Sequence, residues 1–274
     1  MPDVTRSEWS DADVAEKVRL NPLWYHTLEL RPGIVTPGWF DLRPVVARLP
    51  FPEVRGRRCL DIGTFDGFFA FLMEERGAAE VVATDISRNE DWDFAPSERG
   101  HSEEWWRDHA GEAGSGFAIA ARALGSHVKR KEINVYDLAP DAVGTFDVVV
   151  CGSLLLHLRD PFRALEAIRS VCAGVFLSCE QIDLELTLLH RRRPVTRLGP
   201  IDQTRWHVPN LAGHRYMIRA AGFEIERAVR PYSVPFGVGH RPLPQNPTAR
   251  ARRAANRLVT GLEGVPHSAV LARA

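Results

Sequence analysis

Short apolar runs alternate with amphipathic stretches along most of this chain. Arg58-Cys-Leu-Asp-Ile62, Glu80–Asp85, Val128–Val135, Phe146–Cys151 and Val175–Cys179 read as five strands. Phe146–Cys151 is apolar almost without a break, as expected of a strand buried on both faces of a parallel sheet. Between these runs, Phe68–Arg76, Phe117–Leu124 and a stretch opening at Asp160-Pro161 carry helical spacing, with Gly77 and Gly125 as left-handed stops for the first two. In the third, Asp160 can cap, Pro161 presets φ, and Phe162, Leu165 and Ile168 are expected to form a buried stripe. Further on, Leu211–Ala221, stopped by Gly222, predicts a helix, and Phe223–Ala228 and Val234–Val238 predict a sixth and a seventh strand. Strands alternating with helices predict an α/β fold built on a doubly wound, mostly parallel seven-stranded sheet.

The two ends depart from that rhythm. Ser10 followed by Asp13 predicts the cap of a short helix whose Val14 and Val18 share a face, and Asn21-Pro22 ends it. Trp24–Leu49 then places Pro32-Gly33 and Pro37-Gly38 turns among aromatics, too rich in breakers for one long element. Residues 1–50 therefore read as an N-terminal cap, 51–240 as the main domain, and 241–274 as a proline-rich linker (Pro242–Pro247) and basic tail with a helix over Thr248–Leu262.

Composition narrows the class. With 274 residues, 45% hydrophobic and 26% charged, the chain buries a sizeable core and is not disordered throughout. The four cysteines, Cys59, Cys151, Cys172 and Cys179, lack paired spacing and read as reduced core residues, neither a disulfide frame nor a zinc site. The longest apolar run, Val148–Leu156, is far short of the ~18 residues that span a bilayer, and the N-terminus opens with acids, so a cytoplasmic protein without a membrane partner is expected. Lys plus Arg and Asp plus Glu are each 35, giving zero formal charge, but the distribution is uneven. Arg88–Glu112 holds eight acids against three arginines, with Trp92, Trp105 and Trp106. His190–Arg219 holds Arg191, Arg192, Arg193, Arg197, Arg205, Arg215 and Arg219 against Asp202 alone. Such a basic face can meet phosphates, or it can be a solvated surface, which the neutral whole favours.

Open α/β sheets bind ligands beyond the carboxyl ends of their strands. The first strand ends in Asp61-Ile-Gly63-Thr-Phe-Asp66-Gly67 directly before a helix, where Gly63 and Gly67 allow tight backbone and the helix start offers unpaired N–H groups. Asp85 at the second strand end is placed to accept from a ribose diol, and Asp137 after the third can accept from an adenine amino group. An adenosine needs these three ends together. A dinucleotide loop reads GxGxxG, whereas this one reads DxGxxxG, which favours S-adenosylmethionine over NAD.

Asp61-Ile-Gly-Thr-Phe-Asp-Gly67, the Phe146-Asp-Val-Val-Val150 strand with Ser153-Leu-Leu-Leu-His157-Leu-Arg-Asp-Pro161 behind it, and Ala221-Gly-Phe-Glu224 together resemble the class I adenosylmethionine-dependent methyltransferases, over about residues 51–240. Trp24-Tyr-His-Thr27 with Pro32-Gly-Ile-Val-Thr-Pro-Gly38 resembles more narrowly the branch of wobble-uridine (5-methoxyuridine) tRNA methyltransferases. The resemblance implies a Rossmann-like fold, with Asp61, Gly63, Thr64 and Gly67 in the loop that holds the methionine part. It places Asp85 and Ile86 at the ribose, Asn134 and Asp137 at the adenine, and Cys151, Gly152 and Ser153 on the floor beneath the sulfonium. Phe65 departs from it, since many relatives carry a middle glycine there. Leu156 departs too, because relatives using a carboxylated adenosylmethionine have a tyrosine before the histidine matching His157, so ordinary adenosylmethionine is expected.

Methyl transfer is an in-line displacement, and alignment alone can supply ~7–11 kcal/mol. A base is needed only where the acceptor is a hydroxyl or a protonated amine. His157, following the fourth strand, is the first candidate, set against a purely structural hydrogen bond. His26, beside Trp24 and Tyr25, can reach over the site from the cap or simply pack there, and Glu180 and His207 are further candidates. The acidic Trp-rich stretch reads as a lid, or Trp105-Trp106 as helix core. Three functions remain: methylation of a small metabolite, methylation of tRNA gripped by Arg191–Arg219, and a non-catalytic binding module. Zero net charge favours the first, and intact Asp61, Gly63, Gly67 and Asp85 argue against the third.

Overall fold

The computed structural model describes residues 9–88, 91–96, 114–200 and 205–274. Two short strands, β1 (Glu29–Arg31) and β2 (Ile34–Val35), form a hairpin in the N-terminal cap. The central sheet takes β3 (Arg58–Ile62), β4 (Glu80–Asp85), β5 (Lys129–Glu132), β6 (Phe146–Gly152) and β7 (Cys172–Gln181). A small hairpin of β8 (Thr196–Leu198) and β9 (His207–Pro209) follows, then β10 (Glu224–Ala228), β11 (Tyr232–Val234) and β12 (Val265–Arg273). Across the sheet the order is β10-β12-β7-β6-β3-β4-β5, with β11 also paired to β12. The β7-β6-β3-β4-β5 block is parallel, and β12 runs against both its neighbours.

The local rules that shape these elements are visible in the chain. Ser10 and Asp13 form a reciprocal capping box on the helix Asp11–Leu20. Asp160 accepts from the Arg163 N–H at the start of Pro161–Val171. Two apolar cores cover the two faces of the sheet, one built around the cap and the helices Phe68–Glu75 and Ser115–Leu124, the other around Pro161–Val171 and Leu211–Ala220. All four cysteines are buried thiols.

Two expectations need correction. The seventh strand is not Val234–Val238 but β12, so the stretch 241–274 is not merely linker and tail: after the helix Pro247–Thr260 the chain returns to the sheet. There Ala269, Val270 and Ala272 are fully buried between β7 and β10. Phe162 is 40% exposed, because the buried stripe of its helix centres on Pro161, Ala164, Leu165 and Ile168 and leaves Phe162 at its edge. Of the expected acidic lid, only Arg88 and residues 91–96 are described, and Trp105 and Trp106 lie outside the described residues. Among those described, no helix is long and apolar enough to cross a membrane.

A β12 built into the middle of the sheet makes a sharp expectation. Val270→Asp, which places an unpaired charge in the core, should cost ~3 kcal/mol or more in a urea titration. A shift within ~0.5 kcal/mol, ordinary for a surface substitution, would show that the C-terminal strand is dispensable.

Candidate functional site

A cavity of about 450 Å³ opens at the carboxyl ends of β3, β4, β5 and β6. Its walls include Gly63 and Phe65 after β3, Asp85 at the end of β4 with Ile86 after it, Asn134, Val135 and Tyr136 after β5, and Gly152 at the end of β6 with Ser153, Leu154 and His157 beyond it. Tyr25, His26 and Trp39 of the cap line it as well, with Trp92 and Phe94, and with His240 and Arg241 from the segment after β11.

The glycine loop is held by three carboxyls with three different tasks. Asp61, 2% exposed, points back into the protein, where it accepts from the Thr64 hydroxyl (2.7 Å) and the Ala70 N–H (3.1 Å) and so ties the loop to the following helix. Asp66 accepts the backbone N–H groups of Tyr25 (2.6 Å) and His26 (2.9 Å) on a single oxygen, Oδ2, which fixes the cap over the loop. Asp85 alone faces the cavity. Its two oxygens receive the N–H groups of Phe65 and Ile86, each at 2.8 Å, so the carboxyl is oriented and keeps lone pairs for a ligand. Gly67 serves packing: it sits at φ +93°, and a Cβ there would collide with Phe71 and Phe117.

Two non-glycine residues at the cavity, Phe65 (φ +47°) and Ser153 (φ +54°), are in left-handed backbone, where strain concentrates at functional sites. The Phe65 ring lies 5.1 Å from that of Tyr25, so the residue that departs from the glycine pattern packs against the cap. The cap itself has two parts. Gly237 donates to the Trp39 carbonyl and Gly239 to that of Gly38, and a Cβ on Gly237 would strike the Gly38 carbonyl, so the segment after β11 lies directly on the N-terminal one.

Of the residues expected at the site, His26, Gly63, Asp85, Ile86, Asn134, Gly152, Ser153 and His157 line the cavity, whereas Asp61, Thr64, Gly67, Asp137 and Cys151 do not. Thr64 spends its hydroxyl on Asp61, and Cys151 is fully buried with its Sγ 3.7 Å from Glu180. Asp137 closes a 3-10 turn at Val135–Asp137, which swings its side chain out toward Arg163 at 69% exposure, while Val135 stays inward. Asn134 remains at the β5 tip, its Oδ1 taken by the Tyr136 N–H. His157 stands edge-on to Trp92, with ring centroids 6.3 Å apart. Sequence reasoning missed Trp39, Tyr136, His240 and Arg241, although the paired glycines at 38 and 237 signalled a close backbone approach.

Burial dominates the electrostatics. It pushes Asp61 and Asp66 up to about 7 and Glu180 to about 8, and it raises Asp85 too. It holds His26 down to about 3, so that imidazole is neutral, and its buried Nδ1 has no partner among the described residues. The residues present fit an adenosyl ligand: an oriented acid for a diol and an amide beyond it at the neighbouring strand tip. The donor set is carboxyl, amide, hydroxyl and imidazole, with apolar and aromatic walls.

Comparison with known proteins places these features in a family. A family model described as "Methyltransferase domain" matches residues 40–228. A tRNA U34 carboxymethyltransferase of Campylobacter hominis is 27% identical over 121 residues, 44% of this chain and 34% of the relative. A ubiquinone biosynthesis O-methyltransferase of Paracidovorax citrulli is 28% identical over 170 residues, 59% of this chain and 58% of the relative. The chain thus spans about a third of the one and somewhat over half of the other. The crystal structure of the N-terminal domain of EvdMO1 with SAH bound shares the fold, with a TM-score of 0.54 at 16% identity over 97% of this chain and 98% of that one.

The buried acids and histidines set the pH dependence of stability. His26, His214 and His267 fold with depressed values of about 3, 3 and 4, so their stability is complete above ~6.5 and lost as pH falls toward 4. Asp61, Asp66 and Glu180 keep protons in the folded state that the unfolded chain has released above ~4.3, so they lower stability as pH rises to about 8. The two sets oppose each other below ~6.5 and only the acids act above it, so thermal denaturation should show stability falling from pH 6.5 to 8. Glu180→Gln should flatten that fall and stabilise the protein at pH 8; an unchanged slope would refute the assignment.

Proposed function

Because the chain belongs to the methyltransferase-domain family, we propose that it binds S-adenosylmethionine along the tips of β5, β4, β3 and β6 and methylates an O, N or C nucleophile of a small-molecule metabolite held beneath the cap. The observation that carries this reading is the roofed cavity: Tyr25, His26 and Trp39 close over the strand ends, leaving room for a compact acceptor. A ubiquinone-pathway O-methyltransferase among the relatives supports the same substrate class. The tRNA reading draws on the tRNA-modifying relative, but the arginines from Arg191 to Arg219 do not line the cavity, and Arg197 is paired with Asp183 and Glu185. A purely binding module leaves the oriented Asp85 and the roof unexplained.

In this reading Asn134 and Asp85 hold the adenosine, Gly63 lets its chain pass, and Gly152 and Ser153 support the far end. The cofactor supplies a methyl group made electrophilic by a positive sulfur. Cap residues and Trp92 exclude water and align the acceptor, which is the main catalytic task. For a hydroxyl acceptor, His157 takes the proton. His26, neutral and too weak a base near pH 7, packs in the roof. Within the cap, Leu23, Tyr25, His26 and Trp39 act as the roof.

Calorimetry should detect adenosylmethionine or its demethylated product, and Asp85→Ala should weaken binding by ~1.5–3 kcal/mol. Absence of binding by the wild type would leave only a scaffold. Incubation with methyl-labelled cofactor should transfer label to the host metabolite fraction, and label recovered in tRNA instead would reverse the substrate ranking. His157→Gln should lower kcat for a hydroxyl acceptor with cofactor affinity retained. Asp66→Ala, which strips the acceptor from two N–H groups of the cap, should destabilise the fold by about 2–4 kcal/mol and weaken acceptor binding.

A further inference from the structure

Ser153 lines the cavity in strained backbone, and its side chain is not oriented by chance. Its Oγ lies 2.9 Å from Nε2 of His267, a residue of β12 that is 5% exposed. The other ring nitrogen, Nδ1, lies 2.8 Å from the Val265 carbonyl oxygen. A carbonyl can only accept, so Nδ1 carries the hydrogen, and burial keeps the ring neutral at about 4. Nε2 is then a bare acceptor and the Ser153 hydroxyl must donate to it. What Ser153 presents to the cavity is oxygen lone pairs.

The layout of the sheet says what they meet. The strands stand in the order β5, β4, β3, β6, and the parts of the proposed cofactor run in the order adenine, ribose, sulfur, amino acid. With Asn134 and Asp85 at the first two tips, Ser153 beyond β6 stands at the amino-acid end. The carboxyl next to it, Glu180, has its oxygens occupied by the Leu154 and Leu155 N–H groups and by Cys151 Sγ, and burial keeps it protonated at pH 7. Resting on the cofactor reading above, we infer that His267 is a positioning residue that makes the Ser153 hydroxyl a hydrogen-bond acceptor for the α-ammonium group of adenosylmethionine. The last strand of the chain thereby reaches the site through one side chain.

The test compares S-adenosylhomocysteine with 5′-methylthioadenosine, which keeps the adenosine and the thioether but lacks the amino-acid group. Calorimetry on the full chain should show Ser153→Ala and His267→Leu each losing ~10-fold in affinity for the first ligand and less than ~2-fold for the second. The double variant should lose no more than either single one, because His267 acts only through Ser153. His267→Gln, which keeps an acceptor near Ser153, should recover most of the preference. Equal losses for both ligands, or additive losses in the double variant, would overturn the inference. Should His267→Leu fail to fold, an unchanged preference in Ser153→Ala overturns it alone. Wild-type protein that binds neither ligand would defeat the cofactor reading itself, an outcome distinct from wild-type binding with indifferent variants.

Discussion

One oxygen of Asp66 joins the two halves of the site. It accepts the N–H groups of Tyr25 and His26, residues 41 and 40 positions earlier in the chain, from inside the loop that follows β3. Without it, the cap has two buried or half-buried donors and no acceptor, and the strand tips have no roof. The same loop is braced behind by Asp61 and beside by Asp85, so its path is fixed from three directions. That over-determination lets Phe65 sit at positive φ and turn its ring onto Tyr25, since strained backbone persists only where its surroundings enforce it.

Holding these acids has an electrostatic cost that shapes the cavity. Asp61, Asp66 and Glu180 are raised toward neutrality by burial, and His26 and His267 are held uncharged by it. Near pH 7 these buried groups therefore carry little charge and the direction of their hydrogen bonds decides what they recognise, while Asp85, Asp91, Asp93 and Arg241 line the cavity wall. Asp85 offers lone pairs, Ser153 offers lone pairs, and the roof is aromatic.

Much of this was legible in the sequence wherever local rules decide the outcome. Gly77, Gly125 and Gly222 end their helices at φ +86°, +64° and +86°, as expected of left-handed stops, and Asp160 caps where a Pro at the next position demands a start. The strand ends carrying Gly63, Asp85 and Asn134 were equally readable, because a parallel sheet with crossover helices leaves only one edge for a ligand. Asp137 was misjudged because a single turn of 3-10 helix, invisible to strand periodicity, decides which way its side chain leaves the backbone.

β12 escaped for a more instructive reason. Its sequence, Val-Pro-His-Ser-Ala-Val-Leu-Ala-Arg, places a proline and two polar residues directly after its first valine, which breaks the apolar run expected of a buried strand. In the fold those polar side chains are inside and satisfied by distant partners: Ser268 by His214, 2.5 Å away, and His267 by Ser153. Burial of a polar group is tolerable only where such partners exist, and partners separated by 54 and 114 residues cannot be read from a local pattern. The strand that looked least like core is thus the one that ties the chain's end to the cavity floor, and its polar positions mark the link between fold and site.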